Sequence, residues 1–157
     1  MLPMQGDRKP VPFLQTEFGE TMGQISPDGR WMAYTSNESG QQEVYVQSFP
    51  RGSGPEGKWK VSTAGGHASR WRQDGKELFY LDAGGRLMAV AVKTAAKSAF
   101  EMGAPEPLFE TRNPPLLSFG YQPSADGQRF VVAESQGSTQ APFTVVSNWQ
   151  RAAMGDK

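Results

Sequence analysis

The sequence predicts an all-β protein, because glycine and proline interrupt it often while aromatic and β-branched residues fill the short stretches between them. Among its 157 residues are 18 glycines and 12 prolines, and 11% are aromatic. This mixture is typical of many short strands joined by turns. The best helical candidate, residues 94–99, is little more than one turn long, so it would not stand as a helix alone.

An internal repeat built around an Asp-Gly turn supports this fold class. Segments 26–49, 72–92 and 124–149 each contain Asp-Gly, an apolar stretch, a polar turn with glycine, and a second apolar stretch. The turn residues are Asp28-Gly29, Asp74-Gly75 and Asp126-Gly127, whose glycines are 46 and 52 residues apart. A period of about 40–50 residues is that of one four-stranded blade of a β-propeller.

The repeat assigns strands to each blade in order. The first strands precede the Asp-Gly turn (23–26, 68–72, 119–123), the second follow it (31–36, 77–81, 129–134), and the third follow the polar turn (43–49, 86–92, 143–148). Fourth strands are predicted at 58–63 and 106–111. The second strands are apolar almost throughout, as in Leu78-Phe79-Tyr80-Leu81. Continuous apolar strands indicate burial on both faces, as expected between neighbouring blades.

The third blade has no predicted fourth strand, whereas residues 12–16 resemble the outer strand at 106–111. Three blades are too few to close a ring, which usually has about four to eight. We expect a three-blade propeller domain over 12–150, preceded by a disordered or extended arm (1–11) and followed by a C-terminal tail (151–157). Two chains would form one six-bladed ring, each N-terminal strand completing the third blade of the other chain in a twofold exchange. The alternative is a fragment of a longer propeller chain.

Residues 26–36, SPDGRWMAYTS, resemble the WD-type repeat of TolB-like β-propellers. Together with 44–50, 59–62, 70–72 and 74–80, they look like the C-terminal propeller of certain bacterial serine/threonine kinases, and 143–149 is similar to the closing strand of those chains. The resemblance covers residues 12–150 and implies a sensor, scaffold or substrate gate. It favours an extracytoplasmic location such as the periplasm. The catalytic motifs of a kinase are absent from the sequence.

Composition excludes several kinds of chemistry. Lysine plus arginine equals aspartate plus glutamate, 16 each, and this zero net charge argues against nucleic-acid binding. No apolar stretch approaches the ~18 residues of a membrane span, so we expect no membrane contact from this segment. With one histidine and no cysteine, the chain cannot supply the usual zinc ligands, and no G-x-S-x-G nucleophile motif occurs. The recurring aspartates are turn residues, so the sequence predicts no catalytic centre, metal or cofactor.

The most informative polar cluster is Arg70-Trp71-Arg72. Alternation along a strand places Trp71 on the face opposite the two arginines, so we expect the indole between blades and one arginine in the channel, where it would meet an anionic ligand or a peptide carboxylate. Gln24 and Tyr121 occupy comparable strands of the first and third units. His67 begins the strand of the second unit. These four residues, Gln24, His67, Arg70 and Tyr121, form the predicted binding surface at the channel mouth.

The predicted function is therefore a non-catalytic binding or sensing module for a protein or small ligand. Two alternatives remain at this point. One is a propeller that gates substrate for a kinase or peptidase domain, and the other is a self-assembling half-propeller with a mainly structural role.

Overall fold

Three antiparallel β-sheets follow one another along the chain in the computed structural model, which describes residues 6, 9–52, 57–93, 100–111, 120–133 and 143–147. Sheet I contains, in spatial order, β1 (Glu20–Ile25), β2 (Trp31–Ser36), β3 (Glu43–Ser48) and β4 (Lys58–Lys60). Sheet II contains β5 (His67–Trp71), β6 (Glu77–Leu81) and β7 (Arg86–Lys93), with β8 (Glu101–Met102) and β9 (Glu106–Glu110) both paired to β7. Sheet III contains β10 (Tyr121–Pro123), β11 (Arg129–Ala133) and β12 (Phe143–Ser147).

The all-β prediction is confirmed, and the predicted strands of the repeat lie in these sheets with ends that differ by a few residues. The helical candidate at 94–99 lies outside the described residues. Within the described ranges no helix occurs, and so none is long and apolar enough to cross a membrane. The stretch 12–16, predicted as an outer strand, is not in a strand of this chain, and its pairing with a second copy stays a prediction.

The core consists of two apolar layers, one on each face of sheet II. Cluster I lies between sheets I and II, and cluster II lies between sheets II and III. Strand β6 contributes to both, since Leu78 and Tyr80 belong to cluster I while Phe79 belongs to cluster II. Alternating side chains of a strand point to opposite faces, so the unbroken apolar pattern of β6 reflects its central position.

Strand β11 differs from the prediction that second strands are buried on both faces. Phe130 and Val132 are buried in cluster II, whereas Val131 between them is 42% exposed. The physical reason is position, because in the described chain sheet III has a neighbouring sheet on one face only.

Large aromatic side chains hold sheets I and II together. The rings of Trp31, Trp59 and Phe100 lie within 5.2–5.5 Å of one another in tilted or edge-on contacts. Such contacts add about 0.5–1.5 kcal/mol each beyond the burial of apolar area. Sheets I and II therefore share one apolar layer.

The Asp-Gly turns share one backbone geometry. Gly29, Gly75 and Gly127 have φ of 71°, 72° and 69°, the left-handed region that favours glycine. In each turn the aspartate carboxylate accepts the backbone N–H two residues later, at 3.0–3.1 Å. The peptide geometry of each hairpin corner is thus fixed locally by the Asp-Gly pair.

Candidate binding surface on the inner strands

The first strands of the three sheets, β1, β5 and β10, meet along one side of the molecule and are called the inner strands below. The indole N–H of Trp71 on β5 donates to the backbone oxygen of Gln24 on β1 at 3.1 Å. The hydroxyl of Tyr121 on β10 donates to the backbone oxygen of Ala68 on β5 at 2.9 Å. These two bonds fix the relative positions of the strands that carry the predicted binding residues.

Two of these strands contain a bulge with an unusual backbone conformation. Met22 on β1 and Ala68 on β5 both have φ of 55°, and the pairing register shifts at these points. Both residues lie seven positions before the turn glycine of their repeat, Gly29 or Gly75. Residues other than glycine rarely adopt this backbone conformation, and those that do are enriched at binding and catalytic sites. The bulge is therefore a repeated feature of the inner strands.

Arg70 and Gln24 are the most accessible of the four predicted binding residues. Each is half-buried, on β5 and β1 respectively. The Arg70 guanidinium donates to the backbone oxygen of Ser69 at 2.9 Å. A guanidinium is planar and carries several N–H donors, a geometry that suits a planar anion such as a carboxylate.

Tyr121 lies in cluster II and is only 4% exposed. Burial raises the pKa of its hydroxyl strongly, and the positive charge of Arg70 offsets only part of that effect. The tyrosine is thus a neutral hydrogen-bond donor that ties β10 to β5. Its proximity to Arg70 places the guanidinium near the junction of sheets II and III.

His67 is also buried, with 7% of its surface exposed. Burial lowers the pKa of the imidazole, and the nearby charge of Asp82 opposes that shift only in part. The imidazole is therefore neutral at pH 7. Gln24 and Arg70 are thus partly exposed, whereas His67 and Tyr121 lie beneath the surface.

Next to Arg70, Ser69 is fully buried, and its hydroxyl has no hydrogen-bond partner among the residues that the structure describes. A buried hydroxyl without a partner costs about 1–3 kcal/mol. Native proteins keep few such groups, so each one needs a physical explanation. This hydroxyl and the left-handed Ala68 lie side by side on the same strand.

Sequence reasoning missed a fully buried carboxylate, Glu43 on β3. It accepts hydrogen bonds from the hydroxyl of Ser62, the backbone N–H of Gly65 at 3.1 Å and the amide of Gln41 at 2.8 Å. The ammonium of Lys60 lies 2.9 Å away. Burial alone would raise the pKa of Glu43, but the bonds from Ser62 and Lys60 outweigh it and hold the pKa below its usual range.

The only sequence signal for this network was a glutamate at the head of the otherwise apolar strand EVYVQS. Because its carboxylate oxygens are occupied by groups of the chain itself, Glu43 acts as a structural anchor between β3 and the segment after β4.

The turn carboxylates are likewise engaged within their own turns. Asp74 binds the guanidinium of Arg72 at 2.7 and 2.8 Å, and this contact lowers the pKa of Asp74 to about 2. Asp28 and Asp126 each accept a hydrogen bond from the serine two residues earlier. In the described part of the chain, no group of three histidine, cysteine, aspartate or glutamate residues is placed to hold a metal ion.

The fold is similar to that of TolB from Acinetobacter baumannii, as seen in the crystal structure of that protein. The TM-score is 0.54 and 19% of the aligned residues are identical. The likeness covers 80% of this chain and 29% of the TolB chain, so this chain spans less than a third of TolB. No protein-family model and no curated protein matches the sequence. A likeness at this identity shows the fold, and the predicted TolB-like propeller fold is confirmed.

Proposed function

We propose that this chain is a non-catalytic β-propeller module that binds a protein or peptide through an acidic group, and that Arg70 is the cation that meets this group. One observation carries the proposal. Within three consecutive residues of β5, the structure combines a left-handed backbone at Ala68, a buried hydroxyl without a partner at Ser69, and a half-buried guanidinium at Arg70.

The first two of these features are energetically costly. Left-handed backbone at a residue other than glycine costs about 1–3 kcal/mol, and a buried hydroxyl without a partner costs a similar amount. A carboxylate that approached Arg70 would supply acceptors for the guanidinium. A peptide carries such a carboxylate at its C-terminus or on an acidic side chain, which is why we favour it as the ligand class.

The non-catalytic part of the proposal rests on how the ionisable groups are used. The carboxylates of Glu43 and of the Asp-Gly turns are bound to donors of their own segments. His67 is buried and neutral, and within the described residues no hydrogen bond joins it to a serine or an acid as a nucleophile–base pair would require. These groups stabilise the fold, and we assign recognition to Arg70 and Gln24 because both are partly exposed.

The test is selection from a random peptide library in which the peptides have free C-terminal carboxylates. We expect enrichment of peptides with acidic side chains or a required C-terminus. Replacing Arg70→Gln removes a charge-assisted bond worth about 1.5–3 kcal/mol, so affinity for the enriched peptides should fall by about 10-fold to 150-fold. The matched control is Arg86→Gln, because Arg86 is exposed and its ion pair with Glu110 is long, at 3.9 Å between the guanidinium and the carboxylate.

Two results would contradict the proposal. Either no peptide is enriched, or Arg70→Gln and Arg86→Gln bind the enriched peptides equally well.

A second proposal is that the module positions substrate for a kinase or peptidase domain in a larger protein. The observation that favours it is the sequence resemblance of residues 26–36, 70–72 and 74–80 to the propellers of bacterial serine/threonine kinases. The reading frame around this segment tests the idea, since it must encode such a catalytic domain.

A further inference from the structure

Residues 12–16, Pro-Phe-Leu-Gln-Thr, repeat the sequence pattern of an outer strand that the structure contains. The matching residues are 107–111, Pro-Leu-Phe-Glu-Thr, most of which form β9. Strand β9 pairs with β7 and buries Leu108 in cluster II. Residues 12–16 have the same order of apolar and polar residues, but they do not lie in a strand of the described part of the chain.

The order of the strands shows where residues 12–16 belong. After the outer strand β4 the chain enters β5, the first strand of sheet II, and after β9 it enters β10, the first strand of sheet III. Residues 12–16 similarly precede β1, the first strand of sheet I. By the same connection, residues 12–16 would form the outer strand of a sheet that packed before sheet I.

Contacts in the chain support this placement. The ring of Phe13 lies 5.5 Å from that of Phe49, just after β3 of sheet I. In the same way, Phe109 of β9 lies 5.6 Å from Phe130 in the sheet that follows β9. Each outer segment thus contacts the next sheet along the chain, and residues 12–16 are already beside sheet I.

The complementary surface is the open side of sheet III. Within the described residues β12 pairs with β11 alone, which leaves its other edge without a strand. On the face turned away from cluster II, Val131 is 42% exposed and borders a groove that Gln122, Ser124 and Arg129 also line. An unpaired edge beside an exposed apolar face is a surface that takes up another strand.

Residues 12–16 cannot reach this edge within one chain. They are held at sheet I by Phe13 and by the backbone N–H of Gly19, which donates to the side chain of Asn37 at 2.9 Å. Sheet II lies between sheets I and III. A second copy is the occupant that supplies both a free β12 edge and a free segment 12–16.

We propose that two copies of this chain associate so that residues 12–16 of each copy pair with β12 of the other. Aligning the Asp-Gly turns of the second and third repeats superimposes β7 on β12. The pairing of β9 with β7 then predicts that Leu14 lies opposite Phe143 and Pro12 opposite Thr144. Six evenly spaced blades turn through about 60° each, so three span half a ring and a twofold axis closes it. This assembly does not depend on peptide binding at Arg70.

A cysteine experiment tests the pairing directly, because the chain has no cysteine of its own. Leu14→Cys and Phe143→Cys are prepared as separate chains and mixed under mild oxidation. We expect a disulfide-linked species of twice the mass of one chain, since opposed residues have the Cα separation that a disulfide needs. The matched control pairs Leu14→Cys with Ser147→Cys, where a displacement of about 13 Å along β12 should prevent the bond.

The mass of the whole chain in solution is measured in parallel by sedimentation, over about 1–100 μM. We expect a dimer that Phe13→Asp dissociates and Gln15→Asp does not, because Gln15 corresponds to the exposed Glu110 of β9. Val131→Arg is a second disrupting variant that changes an exposed side chain and so leaves the fold of each copy intact. A monomer throughout this range, a dimer that both disrupting variants retain, or equal cross-linking of the two cysteine pairs would overturn the proposal.

Discussion

At the scale of single residues, Glu43 connects strand β3 to a network of polar groups. Its carboxylate is fully buried and binds donors from Gln41, Lys60, Ser62 and Gly65. Because the hydroxyl of Ser62 also accepts the backbone N–H of Val44 at 2.8 Å, the network fixes the chain after β4 against β3. A buried charge is tolerated here since its oxygens are all engaged.

We expect Glu43→Gln to reduce the free energy of unfolding at pH 7 by about 1–3 kcal/mol, the cost of leaving buried donors unpaired. The pKa of Glu43 is lowered in the folded state, so its stabilisation is fully present above the unfolded pKa of about 4.3 and is lost as the pH falls through the lower folded value. Urea unfolding of both proteins at neutral and acidic pH should therefore give a gap that narrows in acid. Glu101→Gln, at an exposed position, is the control. A gap that does not change with pH would contradict the role of the carboxylate charge.

At the scale of elements, the three Asp-Gly turns have the same local geometry but different surroundings. A Cβ atom at Gly29 would meet nothing within 4 Å, whereas one at Gly127 would lie 2.8 Å from Cδ of Arg72 and 3.1 Å from the ring of Phe79. The guanidinium of Arg72 is fixed by Asp74 and Glu77. The third turn is thus packed closely against sheet II, and the first is open.

Gly29→Ala and Gly127→Ala form a matched pair that separates these two effects. Both alanines must adopt the left-handed conformation, which costs about 1–2 kcal/mol. Gly127→Ala should cost more, because the new methyl group also displaces Arg72 and Phe79. Chemical denaturation of the two variants under the same conditions measures the difference. Equal losses would show that the third turn does not pack against sheet II as the structure has it.

At the scale of the whole molecule, the sheets form a stack with apolar layers inside it and an open sheet at its end. Sheet II is covered on both faces, while β11 of sheet III exposes Val131 on its outer face. A stack that continues into a second copy would bury this face and pair the free edge of β12. Stability would then depend on the concentration of the protein.

We expect the melting temperature of the wild-type chain to rise with protein concentration, because association stabilises the folded state by mass action. Val131→Arg should remove this dependence, since it places a charge in the predicted contact. Met102→Arg should keep it, because Met102 is a similarly exposed apolar residue (38%, against 42% for Val131) on β8 of sheet II. Calorimetry over the same concentration range as the sedimentation measurements provides the check. A melting temperature of the wild type that is independent of concentration would contradict association.

The sequence by itself determined the strands and their turns, because both depend on neighbouring residues. The apolar stretch of β6 and the Asp-Gly pair at Asp74 and Gly75 indicate a strand and a hairpin corner without knowledge of distant contacts. The sequence also identified the inner strands that carry Gln24 and Arg70. It could not predict the bulges at Met22 and Ala68, since neither side chain favours a positive φ.

Only the tertiary structure decided which of these residues are accessible and which are buried. Tyr121 is buried because its hydroxyl meets Ala68, 53 positions earlier in the chain, and Glu43 is buried because Ser62 and Gly65 enclose it. Val131 is open while the apolar residues of β6 are covered, although the two strands have similar sequences. Burial is a property of contacts between segments far apart in the chain, and a local pattern specifies a strand's faces without specifying what will cover them.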